Sequence, residues 1–342
     1  MGRKEVIMHK HDQGLKKLII GISPGIESQK KNIDTIQLYS VYTERNSDLF
    51  RGCMIKRSVG IHDGSFHADE VTACALLIVF KLVDRDKIVR SREISVLEEC
   101  EYVCDVGGVY DPSSKRFDHH QSDYTGDLSS AGMIWRYLKD QRIVDESTYD
   151  FLNRSLILGV DAHDNGKANL ESGVCSFSQV VSNFVPCVYD APKEKQMAAF
   201  LQALDFIVGH LERLLERFHY IHSCREKVAF AMKKKERVLY FEEAMPWMES
   251  FFEMGGETHP ALFVIMPSDG HWKLRGIPPT LEEKMKVRVP LPSEWAGLLD
   301  DSLRRVSGIP GAIFCHKGRF ISVWETKEDV LKALDYVMGS VR

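Results

Sequence analysis

This chain lacks long apolar runs. No stretch of about 20 uncharged apolar residues occurs, which is the length a membrane-spanning helix needs, so no span is expected. It also lacks a surplus of one charge. Its 45 basic and 49 acidic residues leave a net charge of −4. That balance excludes a globally basic nucleic-acid coat, and any such contact has to come from a local patch. CxxC pairs are missing as well. The eight cysteines, at positions 53, 74, 100, 104, 175, 187, 224 and 315, show no zinc-ribbon spacing, and Cys74 sits inside an apolar run as a reduced core thiol would. The pattern argues against a disulfide framework and for an intracellular protein. The opening "MGRKEV" carries neither the Ser/Thr of a myristoylation signal nor a long h-region. Acidic neighbours of "LKKLIIGI" (15–22), read as a short strand or irregular extension, weigh against a transit peptide. No internal repeat and no low-complexity segment occurs.

What the chain does have is hydrophobic content, 44% of 342 residues, enough for a buried core and about two domains. Patterning is weak over residues 1–53, read as an N-terminal extension of unassigned role, and strong from Met54 onward. "SVGIH" (58–62) predicts a strand ending at His62, and "DGSFH" a turn. "ADEVTACALLIVFKLV" (68–83) predicts a buried helix, with Asp69 and Glu70 in its first turn where they suit the helix dipole. "YVCDVGG" (102–108) predicts a second strand, with Asp105 near its end. Helices are expected over 129–141, where serines suit an N-cap, and over 147–160, followed by "DAHDNG" (161–166). Strands alternating with helices predict an α/β fold whose mainly parallel sheet, flanked by helices, spans residues 54–192. Residues 193–245 read as a helical connector, too long for one ordinary helix. Within it, Lys233-Lys234-Lys235 reads as a solvated helix face ahead of a phosphate contact. Residues 246–342 read as a smaller mixed α/β domain, with strands in "HPALFVIMP", "WKLRGIP" and "GAIFCHKGRFISVW" and a final helix in "KEDVLKALDYVM".

Histidines and aspartates concentrate at the ends of these elements. They are His62, His67-x-Asp69, Asp105, Asp118-His119-His120, and Asp161 with Asp164. Each has a bland reading. A lone His at a strand end is more often structural than ligating, an Asp before two glycines is usually a cap or Asx-turn, and "DHH" arises by chance in many chains. Number and order shift the balance. Ligands of open α/β sheets bind beyond the carboxyl ends of the strands, where His62 and Asp105 are expected. Imidazoles with carboxylates suit Mn²⁺, Zn²⁺ or Fe²⁺, and the absence of cysteine argues against structural zinc. A pair of such ions sharing a carboxylate generates hydroxide near neutral pH and stabilises a leaving oxygen, which is the equipment for phosphate-ester hydrolysis.

The ordered segments "GIHDGSFHADE", "VCDVGGVYDPSSKRFDHHQ", "LSSAGMIW" and "GVDAHDNG", with "VPLPSEWAGL" and "VSGIPGAIFCHKGRFI" further on, closely resemble the MYG1 family, formerly UPF0160. That family looks like a branch of the DHH phosphoesterase superfamily, with RecJ-type exonucleases, oligoribonuclease-like phosphodiesterases and manganese pyrophosphatases among its relatives. The resemblance implies a DHH-like catalytic domain, two divalent cations (Mn²⁺ ahead of Mg²⁺ or Zn²⁺) and 3′–5′ RNA exonuclease activity in the nucleus or mitochondrion. It implies a first metal site of His62, His67 and Asp105, and a second of Asp69, Asp105, His119 and either Asp161 or Asp164, with Asp105 bridging. "DNG" favours Asp164, and the distance to the preceding helix favours Asp161. His120 would face the substrate phosphate, and Asp118 would orient a histidine through its other ring nitrogen. The C-terminal domain would bind substrate through "SGIPGAIFCH", which offers Gly308, Gly311 and His316; a hairpin with a tight turn fits these residues equally well. The chain departs from the family where Ser322, Val323 and Trp324 stand in place of a Gly-Gly-His, which bears on phosphate approach. Trp324 reads as core packing ahead of base stacking.

The expected function is therefore a two-metal phosphoesterase, a 3′–5′ exoribonuclease acting on RNA or a short oligonucleotide without a membrane partner. One alternative is a small-molecule phosphohydrolase for pyrophosphate or short nucleotides, with Arg275, Arg288, Lys317 and Arg319 as candidate phosphate contacts. The other is a catalytically impaired RNA-binding or regulatory protein, suggested by the altered "SVW". The expected location is the nucleus, the cytoplasm or the mitochondrion.

Overall fold

The computed structural model of the protein describes residues 54–169, 171–188 and 190–339. The expectations placed on residues 1–53 lie outside them. Strand β1 (Ile55–Ile61) leads through helix α1 (Ala68–Val79) to β2 (Ile88–Arg90), and the one-turn helix α2 (Ile94–Leu97) leads to β3 (Cys100–Cys104). Two short strands follow, β4 (Tyr110–Asp111) and β5 (Arg116–Phe117). The sheet runs in the order β2-β1-β3-β5-β4. All of its pairings are parallel except that of β4 with β5. The interior strand β1 is buried continuously from Ser58 to Ile61, as a parallel strand covered on both faces must be. The second strand ends at Cys104, before the expected "DVGG" begins. Asp105, Gly107 and Gly108 all take positive φ, at 60°, 98° and 68°, which breaks the extended backbone.

Helix α3 (Ser130–Asp140) is followed by α4 (Glu146–Leu152), a π-turn (Asn153–Ile157) and α5 (Leu158–Asp164). The helix expected to stop at residue 160 thus runs on through Asp164. After α6 (Phe177–Ser182), the long α7 (Lys193–Ser223) presents Phe200, Ala203, Leu204, Ile207 and Leu211 on one stripe. These residues are buried in the same core as Val71, Leu76 and Phe117, so α7 belongs to the first lobe. The expected break falls at Cys224, where α8 (Arg225–Lys233) begins. From Cys224 the apolar residues turn to another core. Cys224 and Val228 pack with Leu239, Phe251 and Val264.

The second sheet contains β6 (Val238–Tyr240), β7 (Phe263–Ser268), β8 (His271–Gly276), β9 (Ala312–Cys315) and β10 (Ile321–Trp324), in the order β6-β7-β8-β10-β9. Only β6–β7 is parallel. Helices α9 (Met248–Glu253), α10 (Asp300–Ser307) and α11 (Lys327–Gly339) complete it. Because β6 pairs with β7, this lobe begins before residue 246. Trp324 is fully buried, donates its indole N–H to Ser322 Oγ at 2.9 Å and meets Trp295 edge-on. It is a core residue and offers no face to a base. No helix among the described residues is long and apolar enough to cross a membrane.

Candidate metal centre

Strands β1, β3 and β5 are neighbours and run parallel, so their carboxyl ends share one edge of the sheet. The first residue beyond each strand is His62, Asp105 and Asp118 respectively. Neighbouring strands lie about 4.8 Å apart, so three polar side chains converge without any long loop. The left-handed backbone at Asp105 is uncommon for a residue with a Cβ and costs on the order of 1–3 kcal/mol. It sets the carboxylate between two imidazoles. Asp105 Oδ2 lies 3.2 Å from His62 Nε2, and Oδ1 lies 3.3 Å from His119 Nε2. One carboxylate thus faces a different histidine with each oxygen.

The other segments complete the cluster. His119 Nε2 is 3.1 Å from Oδ2 of Asp164, the last residue of α5. Donor atoms of His67, Asp69 and Asp164 lie within 4.8 Å of one another, as do those of Asp105, His119 and His120. Buried Asp118 ties two loops together. Its Oδ2 accepts the Gly108 amide at 2.6 Å, and its Oδ1 accepts the His120 amide at 3.2 Å and lies 2.8 Å from His120 Nδ1. The His120 side chain is 62% exposed. Arg90, ending β2, donates to the Gly64 carbonyl at 2.7 Å and lies over the Phe200 ring at 4.9 Å, which pins the His62–His67 loop against α7.

The donor set fits divalent cations. Asp69 is fully buried, yet neither of its carboxylate oxygens has a hydrogen-bond partner. Asp105 Oδ1 and His119 Nε2 are likewise buried without an aligned partner, although they face each other. Buried polar atoms without a partner are costly, and a cation among them would offset that cost. Burial and the crowding of carboxylates also shift the titration of these groups. Burial, with the nearby charges of Asp105 and Glu70, pushes Asp69 well above the usual carboxylate range. Burial opposes charging His62, but the carboxylates of Asp105 and Glu70 outweigh it and raise His62 to about 10. Asp105 and Asp164 raise His119 to about 10. Burial also works against an ionised Asp105, but His119 and His62 hold it well below its ordinary value.

Asp161 has a different set of neighbours. Its Oδ1 accepts from Ser129 N at 3.1 Å, Ser129 Oγ at 2.6 Å and Gly132 N at 3.1 Å, capping α3. It is absent from the metal-competent groups found among the described residues, whereas Asp164 is present. The C-terminal candidates are held in turns. Gly308, at φ 71°, donates its amide to Arg304 O at 2.9 Å and ends α10. A Cβ on Gly311 would lie 2.0 Å from Asp329 Oδ2. His316 Nδ1 accepts the Gly318 amide at 2.9 Å, and its ring packs on Phe320. Arg288 spends its guanidinium on the carbonyls of Gly256, Glu257, His259, Ala261 and Pro278. Arg275 donates to Lys284 O and lies over Phe320. Lys317 and Arg319 sit on the β9–β10 turn, and Lys233, Lys234 and Lys235 lie at the end of α8.

Sequence reasoning did not single out Glu70. It is fully buried beside His62, and its donor atoms group with those of His62, His67 and Asp105. The only signal was an acidic residue in a first helical turn, which many helices carry.

The model of an uncharacterised protein family (UPF0160), MYG1_exonuc, matches residues 58–335. The chain is 51% identical to a MYG1 protein of Chlamydia muridarum over 284 residues, 83% of this chain and 97% of that one. It is 31% identical to the MYG1 exonuclease of Homo sapiens over 318 residues, 80% of this chain and 83% of that one. Among solved structures, RecJ from Thermus thermophilus in complex with Mg²⁺ aligns at 12% identity with a TM-score of 0.27, over 89% of this chain and 52% of that one. The chain thus spans about half the length of that RecJ chain.

Proposed function

The chain belongs to the MYG1 (UPF0160) family, and on that premise we propose that it is a divalent-metal-dependent exonuclease that trims RNA or short oligonucleotides in the 3′–5′ direction. The observation that carries this reading is Asp105 set between His62 and His119, with the unpaired carboxylate of Asp69 beside it. His62, His67 and Asp105 would hold one cation; Asp69, Asp105, His119 and Asp164 would hold the other. Divalent cations held there, Mn²⁺ or else Mg²⁺ or Zn²⁺, would lower the pKa of a water and offset charge on the phosphate oxygens. His120 is exposed and bonded to Asp118, which supports a role for it in donating to a phosphate oxygen of the substrate. Asp161 keeps the helix carrying Asp164 locked to the start of α3. In the C-terminal lobe His316, with Gly308 and Gly311, is the proposed substrate contact.

The mammalian relatives are named exonucleases, which supports a nucleic-acid substrate over pyrophosphate. The commitment of Arg288 to backbone carbonyls removes one of the basic residues a pyrophosphate site would use. Relatives occur in bacteria as well as mammals, so the chemistry proposed needs no organelle. The test is a substrate panel. The purified chain with Mn²⁺ is offered 3′-labelled RNA, 5′-labelled RNA, a DNA strand and pyrophosphate. A descending ladder on 5′-labelled RNA, with immediate release of mononucleotide from the 3′-labelled strand, is expected. Phosphate release from pyrophosphate with intact RNA would replace this reading with the small-molecule one.

A further inference from the structure

Glu70 plays no part in the assignments above, yet it is the best-anchored carboxylate of the site. It is fully buried in the first turn of α1, and both its oxygens accept the His67 amide at 2.9 Å. Each carboxylate oxygen has a second lone pair, so one on each remains. Oε1 lies 3.1 Å from His62 Nε2, and that nitrogen lies 3.2 Å from Asp105 Oδ2. The other ring nitrogen, Nδ1, lies 3.0 Å from the Asp63 carbonyl, an acceptor that requires the N–H on Nδ1. Nε2 is therefore the ring nitrogen left to face the two carboxylate oxygens. Either the proton of an imidazolium or a cation can lie among these three atoms, and the choice between them is what the experiment below decides.

Their spacing suits a metal ion. Bonds of about 2.1 Å put neighbouring donors about 3.0 Å apart in an octahedron and about 3.4 Å apart in a tetrahedron. The observed 3.1 and 3.2 Å fall between these. A donor atom of His67 lies within 4.8 Å of the other three.

We propose that Glu70 is a metal ligand, the fourth donor beside His62, His67 and Asp105. This rests on the two-cation reading and makes its two positions unequal. Two imidazoles and two carboxylates hold one ion; one imidazole and the carboxylates of Asp69, Asp105 and Asp164 hold the other. The imidazole-rich position favours Mn²⁺ or Zn²⁺ over Mg²⁺, and the oxygen-rich one admits all three. Because Glu70 also caps the amide of His67, the same side chain couples the ion to the start of α1.

The experiment measures Mn²⁺ binding to the full chain by calorimetry and by electron paramagnetic resonance, in wild type, Glu70→Gln and Glu70→Asp. Gln keeps an oxygen for the His67 amide and removes the charge; Asp keeps the charge and withdraws it by one methylene. Each variant is first checked for wild-type circular dichroism in chelator. The wild type should bind two ions and show a spin-coupled pair. Glu70→Gln should hold one ion with little change and the other about 10-fold more weakly or worse, leaving the spectrum of an isolated ion at intermediate Mn²⁺. Glu70→Asp should weaken the same position by less. Should only Glu70→Asp fold, weakening confined to one position supports the proposal and unaltered binding overturns it. Two wild-type affinities in Glu70→Gln, with only a lower melting temperature in chelator, would make Glu70 a cap alone and overturn the proposal while leaving the proposed function standing. A wild type that binds no Mn²⁺ would remove the two-cation reading itself.

Discussion

Asp161 and Asp164 lie one helical turn apart and meet different neighbours. Asp161 serves three donors at the start of α3, so Asp161→Ala leaves buried amides unpaired. The expected cost is about 2–4 kcal/mol by urea denaturation, with Mn²⁺ affinity of the folded protein nearly unchanged. Asp164→Ala should do the reverse, weakening Mn²⁺ binding about 10-fold or more at little cost in stability. Swapped outcomes would reverse the assignment. Trp324→Ala should cost about 3–5 kcal/mol and leave KM for RNA alone, because the indole is buried against Trp295. A raised KM at wild-type stability would return it to the substrate. The sequence brought out both aspartates but did not separate them. Their difference depends on the helix continuing past residue 160, and the π-turn at Asn153–Ile157 that shifts its phase leaves no mark in composition.

At the scale of elements, strand ends do most of the placing. His62, Asp105 and Asp118 were legible because His62 and Asp105 follow apolar strand patterns and Asp118 opens the "DHH" triplet. Glu70 was not, since a glutamate in a first turn is ordinary even when its side chain is buried. The two-residue strands β4 and β5, and three-residue β6, are too short to show alternation. The stripe on α7 showed its period but not its destination, which only packing against α1 reveals. Helix α4 gives an independent check. Asp145 caps it by accepting the Thr148 amide at 2.8 Å, and this bond holds its carboxyl below the usual range. A carboxyl held low stabilises the fold above its unfolded value and loses that contribution as pH falls through its folded value. Asp145→Ala should therefore melt lower than wild type at neutral pH, by the equivalent of about 1 kcal/mol, and the gap should narrow in acid. A gap that widens in acid would contradict the capping account.

For the whole molecule, the candidate metal centre concentrates buried titratable groups at one edge of the first sheet. Asp69 and Asp105 are buried, and the ions are expected to bind the folded chain far better than the unfolded one. Saturating Mn²⁺ at about 100 times its dissociation constant should add about 2.7 kcal/mol of stability, read as a higher melting temperature than in chelator. Equal melting temperatures would speak against a bound cation. The most direct test of the central claim is single-turnover cleavage of 5′-labelled RNA in Mn²⁺ by wild type, Asp105→Ala and His119→Ala. The wild type should produce a ladder, and both variants, folded by circular dichroism, should lose at least about 100-fold in rate. Ladders of wild-type rate from both variants would contradict a metal pair bridged by Asp105.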